Sequence, residues 1–395
     1  MEKQEIIRYF LEKGYQLDLA SLDFFSRNLG KIDTFLEKME NTEKPSIITL
    51  DFINSILKTE MSVDVIRTPR QLKKASVQDF VQYFSNRYEK LRNIVIKRLN
   101  STNLISIGKI SPKTKRFSII GLVKEKNNEE KSIKIEDPTS EVSIFFEDNS
   151  DQTFEQIVLD EVIGITCEKD DIIRAKEVIW PDIPLERKIA KTENGVFCLF
   201  LSDIHMDNKE FNKKSYEKFL EWINKLDYDK LYVFVLGYVS SKKQDLIAFF
   251  NNLPKNSLKI FLRGKTDPDV VVGDLKIESP ALIRLEGNVT FLLCDGTHLE
   301  QYADFWKNYT PDKIMLNLLR KRHINPVFDF NKKIYVEDPF LLDTIPDIFA
   351  SGHFHSPSFL NYKGTTIIST GNFISKPIYW LANLKTREII KLDFT

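Results

Sequence analysis

Two short motifs in this sequence together supply one aspartate and three histidines, at a spacing that suits a metal ion. Asp203 and His205 stand two residues apart, directly after a run of apolar residues, and His353 and His355 repeat that spacing after a second apolar run. A carboxylate beside imidazoles suits zinc, manganese or iron. Three of the five histidines in the chain fall in these two motifs. The pattern predicts a metal site, against the alternative that these histidines only bond to loop backbone.

The elements that must position these motifs are apolar runs that end in polar residues or glycine. From about residue 195 onward six such runs read as buried strands that deliver loops at their carboxyl ends, and they lie at 196–205, 232–240, 258–264, 289–296, 346–353 and 365–370. A helical segment at 213–226 separates the first two, as a layered α/β domain requires. Two metal-ligand motifs at strand ends of one domain, 195–395, favour a metallophosphoesterase type of site.

The first hundred residues are predicted to be mainly helical. Apolar residues recur at helical spacing through 1–58, which indicates a small helical domain. The polar segment 59–75 contains a proline and loses this periodicity, so we expect a linker. One long amphipathic helix is predicted for 76–100, where Ser76 and Asp79 can cap its start.

The region 101–185 is predicted to form a small β-barrel. Five short runs with turn residues between them read as strands, and they lie at 117–126, 131–137, 141–148, 161–169 and 172–184. Five strands in this space suggest a barrel of the oligonucleotide-binding type. The alternative is an ordinary five-stranded sheet, and the pattern alone does not establish nucleic-acid binding.

Composition sets wide limits on function. The chain has 395 residues, with 57 Lys and Arg against 57 Asp and Glu, so no global field draws it to nucleic acid or membrane. Its three cysteines form no Cys-x-x-Cys pair, which argues against a zinc ribbon and a disulfide scaffold. The N-terminal residues have no apolar signal core, and no segment has the length of a membrane span. We therefore expect a soluble, cytoplasmic protein.

Several segments together resemble the small subunits of the archaeal family D DNA polymerases, relatives of the B-subunits of eukaryotic replicative polymerases. The resemblance covers nearly the full length and rests on SVQDFVQYFSNRYEKL, FSIIGLV, EVIWPDIP, SDIH, LRKRHINP and IPDIFASGHFH. It implies a multidomain α+β protein with a helical N-terminal domain, an OB-fold β-barrel and a calcineurin-like metallophosphoesterase α/β sandwich. In that family the last domain supplies 3′ to 5′ exonuclease activity, and a large subunit carries polymerisation.

The same resemblance exposes departures from the active pattern in three loops. The second loop, Gly-Asp in active members, has Tyr238 in place of the aspartate. The third, Gly-Asn-His-Asp, reads GKTD here, so Lys265 and Thr266 replace the amide and the imidazole. The fourth, His-Gly, has Asp295 in place of the histidine. The first and last loops keep their aspartate and three histidines.

These departures argue against a two-metal centre. Two divalent ions about 3.5–4 Å apart need a bridging carboxylate, and the phenol of Tyr238, with a usual pKa of about 10, is neutral at pH 7. The ammonium of Lys265 offers no lone pair and repels a cation, although its charge could stand in for an absent metal. The hydroxyl of Thr266 is no general acid near neutrality. The sequence predicts a phosphoesterase domain that is inactivated.

One residual metal ion remains a separate hypothesis. Two imidazoles and a carboxylate make a three-ligand site, for which Asp203, His205 and His355 are the first candidates and His353 the fourth. The ion would be manganese, zinc or iron, and otherwise no cofactor is required.

The function that follows from the resemblance is that of a scaffold subunit in a DNA polymerase heterodimer, with the large catalytic subunit and DNA as partners. One alternative is an active single-strand 3′ to 5′ exonuclease that uses the residual one-metal site. Another is an unrelated phosphodiesterase for a small nucleotide. A compact basic run could meet DNA phosphates or could form a solvated helix end; it consists of Arg320, Lys321, Arg322 and His323.

Overall fold

The computed structural model describes residues 3–39, 45–57, 61–72, 76–99, 103–147, 150–329 and 334–395. The predicted boundaries near residues 58–60, 73–75 and 100–102 lie outside this described part. None of the helices in the described ranges has the length and apolar character needed to span a bilayer.

The N-terminal helices pack around a small aromatic core. They are α1 (Lys3–Glu12), α2 (Leu19–Arg27), α3 (Ile32–Met39) and α4 (Leu50–Leu57), with the parallel pair β1 (Gln16–Leu17) and β2 (Ile47–Ile48) beside them. Phe10, Phe25 and Phe35 are fully buried, and the ring centroids of Phe10 and Phe25 lie 4.9 Å apart. Aromatic pairs at this distance add to the energy of apolar burial.

The segment predicted as a linker contains a strand, β3 (Val63–Arg67). It pairs antiparallel with a strand of the C-terminal domain, and Val63 lies opposite Leu285. Val65 and Ile66 of this edge strand are exposed, so the residues show no clear alternation of buried and polar positions. Cross-strand hydrogen bonds to the C-terminal domain define β3, and the mainly polar segment around it gives little sign of them.

The long helix α5 (Val77–Ile96) begins as the sequence predicted. The Ser76 hydroxyl accepts from the Asp79 N–H, and the Asp79 carboxylate accepts from the Ser76 N–H. These reciprocal bonds form a capping box, which satisfies N–H groups that the first helical turn leaves free. The opposite end of the helix packs on the barrel, where Leu91 and Val95 are buried.

The barrel is closed and has five strands. They are β4 (Arg116–Asn127), β5 (Ser132–Asp137), β6 (Ser140–Phe145), β7 (Val162–Lys169) and β8 (Ile173–Ile179), in the order β4-β5-β6-β8-β7. A short helix, α6 (Asp151–Gln156), connects β6 to β7. The five predicted strands thus form a closed barrel and not an open sheet, and its assignment to the oligonucleotide-binding type stays a prediction.

The C-terminal domain is a sandwich of two six-stranded sheets, as the predicted fold class requires. The strands are β9 (Phe197–Leu201), β10 (Leu231–Val235), β11 (Ser257–Leu262), β12 (Leu275–Ile277), β13 (Ala281–Leu285), β14 (Val289–Cys294), β15 (Ile348–Ser351), β16 (Ser358–Tyr362), β17 (Thr365–Ser369), β18 (Ile378–Asn383) and β19 (Ile389–Asp393). One sheet has the order β12-β11-β10-β9-β18-β19 and the other β16-β17-β15-β14-β13-β3. Phe200, Phe234 and Phe291 pack between the sheets.

Helices cover the outer face of each sheet. The helices α7 (Lys213–Ile223) and α8 (Lys243–Asn252) pack on the first sheet through Phe219 and Phe249. The helices α9 (Glu300–Phe305) and α10 (Pro311–Arg320) pack on the second through Tyr302 and Leu318. The result is the four-layered, calcineurin-like α/β sandwich that the sequence predicts.

A buried ionic cluster joins α5 to the sandwich. Arg87 is 1% exposed and lies 2.8 Å from the carboxylate of Asp338, which also lies 2.8 Å from His323 Nε2. Arg87 donates a further bond to the carbonyl of Pro326. Because a buried charge is tolerated only when it is paired and hydrogen-bonded, this cluster fixes how α5 sits on the sandwich.

Candidate functional site

The loops of interest converge because their strands are parallel. The strands β9, β10 and β11 run parallel in the first sheet, and β14, β15 and β17 run parallel in the second. Carboxyl ends of parallel strands meet at one edge of a sheet, and ligands bind outside that edge. Asp203, Tyr238, Gly264, Asp295 and His353 each follow one of these strand ends.

The backbone of these loops is strained. Five residues without the freedom of glycine adopt left-handed conformations, with φ of 53° at Asp203, 52° at His205, 59° at Tyr238, 75° at His353 and 54° at His355. Such conformations each cost on the order of 1–3 kcal/mol, and they cluster at functional sites. Positive φ at Tyr238 is the most costly kind, since bulky side chains rarely adopt it.

Asp267 holds the second and third loops together. Its buried carboxylate accepts four backbone N–H bonds, from Tyr238 at 2.7 Å, Val239 at 2.7 Å, Ser240 at 3.2 Å and Gly264 at 2.9 Å. Charge-assisted bonds of this kind are stronger than neutral ones. These four bonds tie the second loop to the third through one side chain of the protein.

Three predicted ligands form a compact triangle. Asp203 Oδ1 lies 3.6 Å from His205 Nε2 and 3.2 Å from His355 Nε2, and the two imidazole nitrogens lie 3.2 Å apart. Asp203 is fully buried, and its Oδ1 has no hydrogen-bond partner. A buried carboxylate oxygen without a donor needs an explanation, and a cation facing it would supply one.

The size of the triangle fits a single ion. Zinc binds imidazole nitrogen at about 2.0–2.1 Å and carboxylate oxygen at about 2.0–2.2 Å, so tetrahedral angles place neighbouring ligand atoms about 3.3–3.5 Å apart. The observed 3.2, 3.2 and 3.6 Å match that spacing. Asp203, His205 and His355 could therefore hold one ion and leave a fourth position open.

The electrostatics of the triangle depend on one carboxylate, that of Asp203, which faces the imidazoles of His205 and His355. Burial opposes ionisation of Asp203, but the nearby imidazoles of His205 and His355 and the hydroxyl of Ser202 lower its pKa. In turn the proximity of the Asp203 carboxylate raises the pKa of His355. The site thus already favours positive charge around a carboxylate.

His353, the fourth predicted ligand, does not join the triangle. Its backbone N–H donates to Asp203 Oδ2 at 2.8 Å, whereas its Nε2 lies 3.3 Å from the carboxylate of Glu300. The described metal-ligand group contains Asp203, His205 and His355 only. The His-x-His spacing alone did not reveal which of the two imidazoles lies beside Asp203 and His205.

Tyr238 occupies the side of the site next to His353. Its ring is 6% exposed, and the ring centroid lies 5.0 Å from that of His353 and 6.1 Å from that of His205. Its hydroxyl lies 2.7 Å from Thr297 Oγ1. Burial raises the pKa of Tyr238 to about 12, so the phenol is neutral at pH 7 and cannot act as a bridging anion.

The other degenerate positions have different environments. Lys265 is exposed and is not among the residues that line the site cavity, so the suggestion that its charge replaces a metal stays a prediction. Thr266 is exposed and lines the cavity. Asp295 is buried and lies 2.6 Å from Ser279 Oγ, while Thr297 Oγ1 donates to its other oxygen. Asp295 thus supports the loop that contacts Tyr238.

The site opens to solvent through a cavity of about 350 Å³. The two ligand imidazoles and Tyr238 line it together with Ser241 and Asp207, which bond to each other through the Ser241 N–H at 3.1 Å. A cavity of this size can admit a phosphate group.

Three residues of the basic run that is a candidate for DNA phosphates are buried and do not form a solvated helix end; they are Lys321, Arg322 and His323, whereas Arg320 is partly exposed. Lys321 is 2% exposed and donates to Glu161 and to the carbonyl of Gln156, both at 2.7 Å. Arg322 donates to the carbonyls of Leu342 and Asp343. The remaining members, Arg320 over the Trp180 ring and His323 on Asp338, are also engaged. Lys321 and Arg320 thus join the barrel to the sandwich.

The strands β4, β5 and β6 of the barrel also present paired charges. Lys134 lies 2.7 Å from Glu141, and Lys124 lies 2.9 Å from Glu141 and 3.2 Å from Glu136. The carboxylates beside these lysines repel phosphates, and the lysines are already paired. This face is a poor surface for a nucleic-acid backbone.

Sequence reasoning missed the supporting residues of the site. Asp267 stands where the third loop keeps its aspartate, so that retained residue was an available signal. Thr297 and Ser279 carry no recognisable motif, and only the fold brings them to Tyr238 and Asp295.

Fold and site together define an α/β sandwich that has one triangle of possible metal ligands at its strand ends and is joined to a closed barrel. Several similar proteins carry the name DNA polymerase II small subunit. That of Methanothermobacter thermautotrophicus is 25% identical over 365 residues, which cover 78% of this chain and 75% of the relative. That of Archaeoglobus fulgidus is 23% identical over 438 residues, covering 96% and 85%. The resemblance to small subunits of archaeal family D DNA polymerase is confirmed.

A further relative and several solved structures are also similar to this chain. The DNA polymerase II small subunit of Thermoplasma acidophilum is 26% identical over 81% of this chain. Among solved structures, an archaeal phosphodiesterase has 13% identity and a TM-score of 0.33, covering 50% of this chain and 99% of its own. Vps29 of Entamoeba histolytica complexed with zinc has 12% identity and a TM-score of 0.32, covering 51% and 100%. No family model matches the chain.

Proposed function

We propose that this chain is the scaffolding small subunit of a DNA polymerase heterodimer, in which its phosphoesterase site no longer acts as a two-metal nuclease. The observation that carries the second part is Tyr238, a buried neutral phenol where two metal ions would need a shared carboxylate. The relatives named DNA polymerase II small subunit support the first part. The function of such a subunit lies in its contacts with the large catalytic subunit and with DNA.

Under this proposal we do not expect DNA to run over two surfaces of the chain. The largely buried basic run and the paired charges on β4, β5 and β6 both favour internal contacts over phosphate binding. A heterodimer of this kind should bury more than about 2,000 Å² of mainly apolar surface.

The proposal is tested by coexpressing the chain with the polymerase large subunit encoded in the same genome. We expect a stable one-to-one complex on size exclusion and no manganese-dependent release of 3′ nucleotides from single-stranded DNA above the level of a complex that carries His355→Ala. A chain that stays a well-behaved monomer and ignores the large subunit would contradict the scaffold role. Nucleotide release well above the His355→Ala level would favour the alternative one-metal exonuclease.

We further propose that Asp203, His205 and His355 hold one divalent ion. Chelator-treated protein titrated with zinc should bind one equivalent, and His355→Ala should weaken binding at least about tenfold, because a two-ligand site is incomplete. His353→Ala is the matched control: it removes an imidazole from the same loop but not from the triangle, so its affinity should equal that of the wild type. Equal losses in both variants, or no ion in the wild type with zinc, manganese or iron, would rule out this assignment.

A further inference from the structure

A second cavity of about 350 Å³ lies between α5 and the sandwich, next to the metal-ligand loops. We call it the α5 cleft, and its principal lining residues are Tyr83, His298, Asn325, Phe328, Tyr335 and Phe340. Its residues come from elements far apart in the sequence, and the ionic cluster of Arg87 and Asp338 fixes those elements against each other. The cleft is therefore a built feature of the fold.

Two groups of aromatic rings line the cleft. On the α5 side, the ring centroids of Tyr83 and Phe328 lie 6.2 Å apart. On the sandwich side, Phe340 contacts His298 edge-on at 4.7 Å and Tyr335 at 5.8 Å. Aromatic rings at the walls of a cavity offer faces and edges for a flat ligand, and pockets of this size and composition are typical of small-ligand sites.

Asn325 supplies a directional polar group. Its Oδ1 accepts from Gln301 Nε2 and from the Tyr302 hydroxyl, which fixes the orientation of the amide. The residue is 5% exposed and lines the cleft, so its Nδ2 donor is the polar atom that it can offer there. A fixed amide donor in an aromatic pocket suits a ligand edge that carries hydrogen-bond acceptors.

The charge of the cleft suits a base better than a phosphate. Arg87 lines it, but Asp338 neutralises that guanidinium at 2.8 Å. Phosphate contacts need cations that are not already paired. An uncharged, flat group with acceptor atoms therefore fits the lining.

The cleft and the metal-ligand triangle share a wall. Thr297 lines the cleft, and its hydroxyl lies 2.7 Å from that of Tyr238, whose ring lines the site cavity. One tyrosine ring and one threonine thus separate the two cavities. A strand with its backbone over the triangle would have a base within reach of the cleft.

We propose that the α5 cleft takes one unpaired nucleobase of single-stranded DNA, stacked on its aromatic rings with an acceptor edge at Asn325. This inference deepens the proposed function, on which it rests, by naming a contact through which the subunit orients DNA. Stacking tolerates any base, since every base has a π-face. The cleft therefore selects single-stranded over duplex DNA and reads little sequence.

The competing occupant is an aromatic or aliphatic side chain of a protein partner. Val77 and Val81 at the start of α5 are exposed, and they would extend an apolar docking surface. The fixed amide of Asn325 and the shared wall with the triangle favour the base, because an apolar anchor would leave that buried donor without a partner.

The test uses the full chain and a single-stranded oligodeoxynucleotide that carries one 2-aminopurine, with an oligonucleotide of equal length that has an abasic site at that position. The wild type should quench the fluorescence of 2-aminopurine and should bind the abasic strand about tenfold more weakly, in line with the usual contribution of one stacked base. Phe328→Leu keeps an apolar side chain but removes a ring, and it should lose most of this preference. Phe359→Leu, at an exposed aromatic on β16, is the matched control and should behave as the wild type.

A second variant keeps the test informative if Phe328→Leu fails to fold. Asn325→Asp keeps the acceptor for Gln301 and Tyr302 but loses the donor, and it should also reduce the preference, with its folding checked by thermal unfolding. Equal binding of both strands by the wild type, or identical behaviour of Phe328→Leu and Phe359→Leu, would overturn the proposal. If Phe328→Leu weakens binding of the large subunit and leaves DNA unaffected, the cleft holds a protein side chain instead. Failure of the wild type to bind the large subunit would count against the proposed function alone.

Discussion

A variant carrying Tyr238→Asp, Lys265→Asn and Thr266→His should gain metal-dependent 3′ to 5′ nuclease activity, at least about 100-fold above the wild-type chain. A bridging carboxylate allows a second divalent ion to sit beside the first, and an imidazole positioned as a general acid contributes about 10²–10⁴-fold. The measurement is nucleotide release from single-stranded DNA with manganese, together with metal content, which should rise from one to two ions per chain.

The local structure is suited to these replacements. Tyr238 has a φ of 59°, a conformation that aspartate tolerates better than a bulky residue. Thr266 lines the cavity, so a histidine there can reach it, whereas Lys265 is exposed and should contribute least. Asp295 remains in place of the family's histidine, and we therefore expect a rate below that of an intact enzyme.

Two controls make this result specific. Tyr238→Asn with the same two partners has nearly the same shape but no anion, and it should stay inactive. Adding His355→Ala to the active combination should abolish the gain. A second ion bound by the wild-type chain would contradict the role assigned to Tyr238, as would full activity of the Asn version.

The second large effect concerns stability. Asp338→Asn should lower the free energy of unfolding by about 3–5 kcal/mol, because it leaves Arg87 charged and buried without a counterion. Asp343→Asn is the control, since Asp343 also pairs with an arginine, Arg67 at 3.2 Å, but is half exposed. An exposed pair contributes about 0–1 kcal/mol. Denaturant unfolding of both variants gives the comparison, and similar losses would contradict the importance of burial.

The same cluster predicts a pH dependence of the stability. Burial, and then the charge of Arg87, lower the pKa of His323 to about 4, against about 6.5 in an unfolded chain. Between these values the unfolded chain binds the proton and the folded chain does not, so stability falls as the pH drops from 6.5 to 4, by about 3 kcal/mol. His323→Gln should flatten this slope, and an unchanged slope in that variant would assign it to other groups.

The parts of the fold that the sequence predicted are those governed by local patterns. The Ser76 and Asp79 capping box, the apolar runs of the sandwich and the five strands of the barrel all follow from short-range periodicity and cap chemistry. The strand β3 was not predicted, because its partner, β13, lies more than 200 residues away and its own residues are largely polar or exposed. Pairing over such a distance leaves little trace in a five-residue segment.

The sequence predicted which residues form the candidate site, but it did not predict which way each side chain points. Asp203, His205 and His355 come together as expected, whereas His353 faces Glu300. The buried run at Lys321 was missed because lysine and arginine at a helix end are usually solvated. Its burial depends on Glu161, a residue of the barrel that is far away in the chain.

The carboxylate of Asp267 holds the second and third loops from a position outside the metal-ligand triangle. Since four amide bonds to Asp267 shape these loops, replacing the side chains at the neighbouring positions would leave the loop backbones in place. The loops can therefore exchange one set of side chains for another without refolding the domain.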